Sequence, residues 1–260
     1  MKRLSVFCLG TIEDDYIKGI YYKIHSEMRN CMKFELNKVQ NMDCIEGIQS
    51  LEKESIDLLL TDPPYNVSRK SNFHTMGRQG VDFGEWDKEF DQQEWLRLAC
   101  EKVKKGGSAI IFNDYKNIGE MKEVLEKNGF IIKEMLMWKK PNPMPRNRDR
   151  LYVTSIEVAL WAVKGKGWTF NRQRDTYENA IFEAPTVNHK KRIHPTQKPI
   201  EILNEIIKIH SNEGDLILDP FMGSASTAIA CLDNNRNFIG FELNKEYYDL
   251  SLKRINTYIG

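Results

Sequence analysis

The sequence predicts an α/β fold with a mostly parallel sheet, and three observations carry that prediction. Apolar runs of strand length alternate with amphipathic helical stretches, the pattern of a sheet covered on both faces. Two of the runs, Ile56 to Leu60 and Leu216 to Leu218, are short and near-continuous, as expected of strands buried on both sides. Both runs end in Asp-Pro, at Asp62-Pro63 and Asp219-Pro220. Proline has no N–H and a fixed φ, so it cannot extend a strand. Each acid is therefore left at the carboxyl end of a strand, where open α/β sheets place their ligands.

Composition sets the bounds. A chain of 260 residues suits one large α/β domain or two small ones. Hydrophobic content of 41% and charged content of 29% are ordinary for a globular protein. A net charge of +1 gives no global attraction to nucleic acid, so any such contact must use local basic patches. The five cysteines are odd in number and irregularly spaced, which suggests neither a disulfide framework nor a zinc site, and no metal is expected. No apolar run reaches membrane-spanning length, and the short apolar stretch near Met1 lacks a convincing cleavage site. The expected location is the cytoplasm.

Residues 1–33 carry no motif and are expected to form an extension of unknown role, with a single catalytic domain over 34–260. Val39 to Asp43 predicts a short strand ending in an acid, followed by a helical turn or two from Ile45. After the strand at Ile56 comes a long polar loop from Asn66 to Asp91, either a lid or binding loop or a surface excursion. Leu96, Ala99 and Val103 recur at helical spacing, and Lys104-Lys105-Gly106-Gly107 is expected to stop that helix. Ala109 to Phe112 predicts a buried strand, and Ile118, Met121 and Leu125 mark a helix closed by Asn128-Gly129. Phe130 to Trp138 and Ile156 to Val163 predict two further strands. Between them, Lys139 to Arg150 holds five basic residues and one acid on a proline-stiffened backbone. That run fits phosphate contact through Arg146, Arg148 and Arg150, although a charge run also serves as a solvated face. Residues 165–193 lack clear periodicity, contain Lys190-Lys191-Arg192, and are the expected target-recognition segment. His194 to Pro199 opens a helix carried by Ile200, Leu203 and Ile207. Its N-terminus, beside Thr196 and Lys198, would suit a carboxylate. Strands near Ile217 and Ile239 bring the expected total to seven.

Two stretches carry chemistry. In Asp62-Pro63-Pro64-Tyr65, two rigid residues hold carbonyls beside a carboxylate, and the tyrosine offers a flat face. The set suits a planar ring bearing an exocyclic amine, with two acceptors for its N–H bonds and a platform for stacking. Taken alone, the tetrapeptide also fits an ordinary strand-ending turn with Tyr65 as a lid on the core. The second stretch is Asp219-Pro220-Phe221-Met222-Gly223-Ser224-Ala225-Ser226, where small residues let a ligand approach the backbone closely. It lacks the Gly-x-Gly-x-x-Gly fingerprint of dinucleotide sites, but Glu242 ends the next strand, placed to hold ribose hydroxyls.

Together these motifs resemble the β-group amino-methyltransferases of DNA, with the acid-Pro-Pro-Tyr motif first and the cofactor turn last. The resemblance covers residue 34 to the end. The phrases Val81 to Asp87 and Asn142 to Asn147 are most similar to the adenine enzymes related to the M.MboII and HpyAVI systems. It implies a Rossmann-like, S-adenosylmethionine-dependent fold with a seven-stranded, mostly parallel sheet in circularly permuted order. It also implies methyl transfer to adenine N6 in double-stranded DNA, with cytosine N4 as the alternative amine. The acceptor base would be flipped onto Tyr65, with Asp62 and the rigid Pro63-Pro64 unit receiving its amine. Asp43 and Cys44 would lie at the cofactor adenine and Glu242 at its ribose. Asp219, Pro220, Phe221, Gly223, Ser224 and Ser226 would line the methionine part, with Thr196 and Lys198 near its carboxylate. Arg146, Arg148, Arg150, Lys190, Lys191 and Arg192 are the expected DNA contacts. The family leaves room for a homodimer and a cognate restriction endonuclease, and for none of these partners to be a membrane.

One position departs from the family turn, which reads Asp-Pro-Phe-x-Gly-Ser-Gly-Thr: Ala225 and Ser226 replace its last two residues. If position 225 needed φ > 0, alanine would cost about 1 kcal/mol or more, which would open the reading of a cofactor-impaired accessory subunit. A helix begins there and helical φ is negative, so alanine is expected to fit.

Overall fold

A computed structural model describes residues 34–65, 91–145, 147–188 and 190–260. The extension 1–33, most of the 66–91 loop, and Arg146 lie outside the described residues. Leu36 to Gly260 belong to one compact unit.

The elements follow the hydrophobic pattern. In chain order they are β1 (Lys38–Gln40), α1 (Cys44–Gln49), β2 (Ile56–Thr61), α2 (Gln92–Lys102), β3 (Val103–Asn113), α3 (Ile118–Lys127), β4 (Phe130–Lys139), β5 (Ile156–Lys164), β6 (Ile181–Glu183), α4 (Ile200–His210), β7 (Leu216–Asp219), α5 (Ser226–Asp233), β8 (Asn237–Phe241) and α6 (Lys245–Ile259). They form one sheet in the order β1-β8-β7-β2-β3-β5-β4-β6. From β1 to β3 every neighbouring pair is parallel; β5 is antiparallel to both β3 and β4. The core packs the inward faces of α4 and α5, through Ile202, Ile206, Ala228 and Cys231, against Leu58, Leu60, Ile110 and Ile217 of the central strands.

Three expectations need correction. Among the described residues the sheet has eight strands, because Ile181–Glu183 pairs in parallel with β4 inside the segment that lacked periodicity. A three-residue edge strand is too short to show a period. Lys104 to Gly107 does not stop a helix in a loop: α2 closes at Lys102 and β3 starts at once, with Val103 already extended. The register against β2 then shifts between Ile56↔Val103 and Leu58↔Ser108, and Gly106 adopts φ 83° within the irregularity. The glycines mark a bulge. Finally, the helix after His194–Pro199 begins only at Ile200, with Pro199 as its cap, so Thr196 stands outside it.

This topology builds the site. β1, β8, β7, β2 and β3 run the same way, so Asp43, Glu242, Asp219, Asp62 and Asn113 all leave the sheet along one edge. Because β5 is antiparallel to β3, with Val158 opposite Asn113, its amino end returns to that same edge and brings Glu157 with it.

Candidate active site

Asp62 follows β2 directly, and its carboxylate is fully engaged. The Tyr65 hydroxyl donates to Oδ1, and the Lys198 ammonium donates to Oδ2. Lys198 is only 7% exposed. Its Nζ also lies 3.1 Å from Glu157 Oε2 and above the Phe112 ring. Glu157 in turn is ion-paired with Lys140, at 2.5 Å. Two carboxylates and two ammonium groups thus share one poorly solvated pocket wall. Burial pushes the Asp62 pKa up; Lys198 opposes the shift and Glu157 reinforces it. Burial also acts to raise Glu157, but Lys198 and Lys140 overcome it and hold its carboxyl below the usual range. Burial would lower Lys198, yet the two carboxylates leave it raised and firmly protonated. Tyr65 is pushed well above its ordinary value, by burial first and Asp62 second, so its hydroxyl keeps the proton it donates.

The turn after Asp62 cannot stabilise itself, since Pro63 and Pro64 have no N–H to give. Carboxamides from other elements supply donors instead. Gln92 Nε2 donates to the Pro64 carbonyl, and Asn117 Nδ2 donates to the Tyr65 carbonyl at 2.9 Å. Asn113, 2% exposed, links the two by donating to Gln92 (3.3 Å) and accepting from Asn117 (2.8 Å). The Pro63 carbonyl has no such donor among the described residues, and it remains an acceptor next to Asp62.

The pocket beside Asp62 is closed on the other side by the second motif: Thr61, Asp62, Phe112, His194, Thr196, Gln197, Lys198, Asp219, Phe221, Gly223, Ser224 and Ser226 all line it. Asp219 shapes the turn. Its Oδ1 accepts from Thr61 Oγ1 (2.7 Å) and from the Phe221 amide (3.1 Å), and burial pushes its pKa up to about 6 against those hydrogen bonds. Pro220 is buried behind it, and the Phe221 ring meets Trp95 edge-on at 5.1 Å. Gly223, at φ 49°, turns bare backbone to the His194 ring: a Cβ built there would come within 3.7 Å of it. His194 also packs on Tyr247, and burial pushes its pKa down to about 4. The Ser226 hydroxyl donates to the Lys198 carbonyl (2.9 Å) and bonds Ser224 Oγ (3.1 Å), tying the cofactor-type turn to the His194–Pro199 loop.

Ala225 corrects the expectation of a negative φ. It caps α5 at φ 60°, ψ 28° and is fully buried. The cap precedes the first helical residue, so it is free of the helical φ that was assumed for it. Glycine at 225 would relieve ~1–2 kcal/mol of left-handed strain but lose ~0.8 kcal/mol of methyl burial and some unfolded-state entropy. Ala225→Gly is therefore expected to melt within ~3 °C of the parent, whereas Ala225→Val, β-branched at positive φ, should lose about 3 kcal/mol and ~6–12 °C. Thermal melts of the three proteins check this, and a valine variant as stable as the parent would refute the left-handed cap.

The remaining predicted residues fall at the same edge. Glu242 Oε2 accepts from the Gly223 amide (2.9 Å) and Oε1 from the Asn244 amide (2.8 Å), while burial pushes its pKa up. Asp43 caps α1 by accepting from the Ile45 amide (2.8 Å). Cys44 turns a buried thiol inward, pushed up to about 12 by burial, so only its backbone faces outward chemistry. Thr196 is exposed, with its hydroxyl 3.1 Å from His194 Nδ1. Lys198 departs most from its expected place, since its ammonium is directed to Asp62 and Glu157. Arg148 and Arg150 are exposed, as are Lys190, Lys191 and Arg192. The turn that carries Lys190 to Arg192 is built on Asn188, which accepts from the Lys190 amide at 2.9 Å.

Sequence reasoning missed Glu157 and the Gln92–Asn113–Asn117 set. Glu157 did leave a signal, as the one acid within the apolar run Ile156 to Val163. The carboxamides left none, because their role depends on partners 21 to 52 residues apart in the chain.

Comparison with known proteins agrees with this geometry. The N6/N4 DNA methylase family model matches residues 56–253. The chain is 32% identical to the Type II methyltransferase M2.DpnII of Streptococcus pneumoniae, over 93% of this chain and 98% of that protein. It is 33% identical to the Type II methyltransferase M2.MboI of Moraxella bovis, over 82% and 85%. The crystal structure of the M1.HpyAVI–SAM complex superposes with a TM-score of 0.67 at 36% identity, covering 84% of this chain and 98% of that one. The chain belongs to the N6/N4 DNA methylase family.

Proposed function

We propose that the protein transfers a methyl group from S-adenosylmethionine to the exocyclic N6 amine of adenine in double-stranded DNA. The observation that carries this reading is the pocket itself: Asp62 and Gly223, Ser224 and Ser226 of the small-residue turn line one cavity. The donor side fits the cofactor, since Gly223 offers bare backbone at positive φ where a side chain would close the approach. Glu242 would hold the ribose, Asp43 and the Cys44 backbone the adenine, and the Asp219–Ser226 turn, with Thr196, the methionine part. Lys198 is better assigned to the acceptor side. When bound, S-adenosylmethionine supplies an electrophilic methyl group on a sulfonium.

The chain's residues then do the positioning. An adenine amine is a poor nucleophile because its lone pair is delocalised into the ring. Accepting its two hydrogens at Asp62 and the Pro63 carbonyl favours a pyramidal nitrogen with an available lone pair. The Tyr65 ring supports the base by stacking, and the carboxamide set keeps the acceptors aimed. This is catalysis by orientation and fixed electrostatics. The test is incubation with duplex DNA and labelled S-adenosylmethionine, followed by mapping of the modified base. N6-methyladenine is expected, N4-methylcytosine would select the alternative amine, and no incorporation would overturn the reading in favour of an accessory subunit.

The duplex is the partner this reading requires. Arg148 and Arg150 (with Arg146, outside the described residues) and Lys190 to Arg192 are proposed to contact phosphates. Replacing Arg146, Arg148 and Arg150 by alanine should reduce the slope of log affinity against log salt by about 1 for each phosphate-bound arginine removed. An unchanged slope would return the run to a solvated face. Residues 165–193 are proposed as the recognition segment, although β6 and the hydrogen bonds from Asn171 to the end of α4 make part of it framework. Residues 34–260 are read as the catalytic domain, with 1–33 as an extension. No helix among the described residues is long and apolar enough to cross a membrane, and we place the enzyme in the cytoplasm with its DNA. The Type II names of the relatives support a cognate restriction endonuclease as partner. A homodimer is a further proposal, checked by light scattering.

A further inference from the structure

Each oxygen of Asp62 already accepts one hydrogen bond, Oδ1 from the Tyr65 hydroxyl and Oδ2 from the Lys198 ammonium. A carboxylate oxygen can accept a second, but an amine that shares Asp62 with an ammonium meets a charge that Lys198 has already neutralised. Tyr65 is held through its hydroxyl, on Asp62 and Lys198, and through its carbonyl, on Asn117; releasing the hydroxyl frees Oδ1 but leaves Asp62 paired with the ammonium. Lys198 cannot leave so readily: it is a buried cation, and a buried charge without a counter-ion is strongly disfavoured.

The structure offers that cation a second seat. Glu157 Oε2 is buried, has no partner among the described residues but Lys198, whose Nζ lies 3.1 Å away, and meets it outside good hydrogen-bond alignment. Glu157 is itself held in place by the Lys140 ammonium on its other oxygen. We propose that Glu157 is a positioning residue that receives the Lys198 ammonium when the target amine docks on Asp62. A small rotation of the lysine end then exchanges one carboxylate for the other, and the buried charge is never left unpaired. The step moves no proton and makes no covalent bond; it clears Asp62 Oδ2 for the amine. Tyr65, His194 and Lys140 also lie near this exchange and offer the lysine no carboxylate; Asp219, which lines the same pocket, is engaged by the Thr61 hydroxyl and the Phe221 amide.

The inference rests on the methyl-transfer reading, and the parent protein's turnover tests that reading separately. Glu157→Gln keeps the shape but removes the charge that attracts Lys198. It is expected to lower kcat by ~10–100-fold, with dissociation constants for S-adenosylmethionine unchanged within about twofold. The decisive arm is the double variant Glu157→Gln/Lys198→Gln. If the single variant fails because Lys198 stays on Asp62, removing the lysine should restore about tenfold of the lost kcat. If Glu157 is merely structural, the second substitution adds to the damage. A double variant no better than the single one overturns the proposal, as does full activity of Glu157→Gln in a protein whose parent is active. Melting curves report folding of both variants. Should either fail to fold, the parent crystallised with S-adenosylmethionine and a duplex decides: Lys198 Nζ nearer Glu157 than Asp62 supports the exchange, and Nζ still on Asp62 Oδ2 refutes it.

Discussion

Asp62→Ala is expected to lower methyl transfer by about 10³-fold, the scale for removing one preorganised electrostatic partner of the reacting group. Binding of S-adenosylmethionine should persist, because no residue of the Gly223–Ser226 turn donates a hydrogen bond to Asp62. The variant will also be less stable. Removing Asp62 leaves Lys198 and Lys140 with Glu157 as their shared counter-ion, so the loss should fall below the about 3–5 kcal/mol of a buried charge left with no partner. Asp62→Asn is therefore the better companion: it keeps the shape and an acceptor oxygen while removing the charge. Single-turnover methylation, isothermal titration with the cofactor and thermal melts separate the three effects. Turnover at the parent rate in both variants would sink the assignment of Asp62 to the acceptor amine.

The second large effect is at Tyr65, where ring and hydroxyl have different tasks. Tyr65→Ala removes the stacking surface, worth ~1–3 kcal/mol per base, so activity should fall about 10–100-fold or more. Tyr65→Phe keeps the ring and frees Asp62 Oδ1, which the hydroxyl occupies in the protein without DNA. Its activity is expected to stay within about threefold of the parent, since stacking needs the ring and not the hydroxyl. Steady-state rates on one duplex measure both, and a 2-aminopurine substitution at the target base reports stacking independently. Equal loss in the two variants would show that the hydroxyl, not the ring, is what the reaction needs.

Much of this site is legible in the amino-acid sequence alone. Strands buried on both faces read as apolar runs, and proline ends them wherever it stands, so Asp62 and Asp219 could be placed at strand ends by local chemistry. The same reasoning located Glu242 and, through the alternation of strands and helices, the parallel arrangement that gathers these acids on one edge. The family resemblance rested on those residues, and it then implied the chemistry of both halves of the pocket.

Other features had no local cause and could only come from the tertiary structure. Strand β6 exists because β4 offers it an edge, and three residues show no period. Ala225 is left-handed as the cap between β7 and α5, its amide held by the Met222 carbonyl at 2.8 Å, whatever alanine prefers alone. Lys198 sits four residues after His194 in sequence, yet its partners are Asp62, 136 residues away just past β2, and Glu157 on β5. Glu157 joins the site only because β5 runs antiparallel to β3, a reversal that returns its amino end to the acidic edge. Hydrophobic periodicity and turn chemistry act between near neighbours in the chain. The pairing of buried charges is set by which strands lie side by side, and that was decided by the fold.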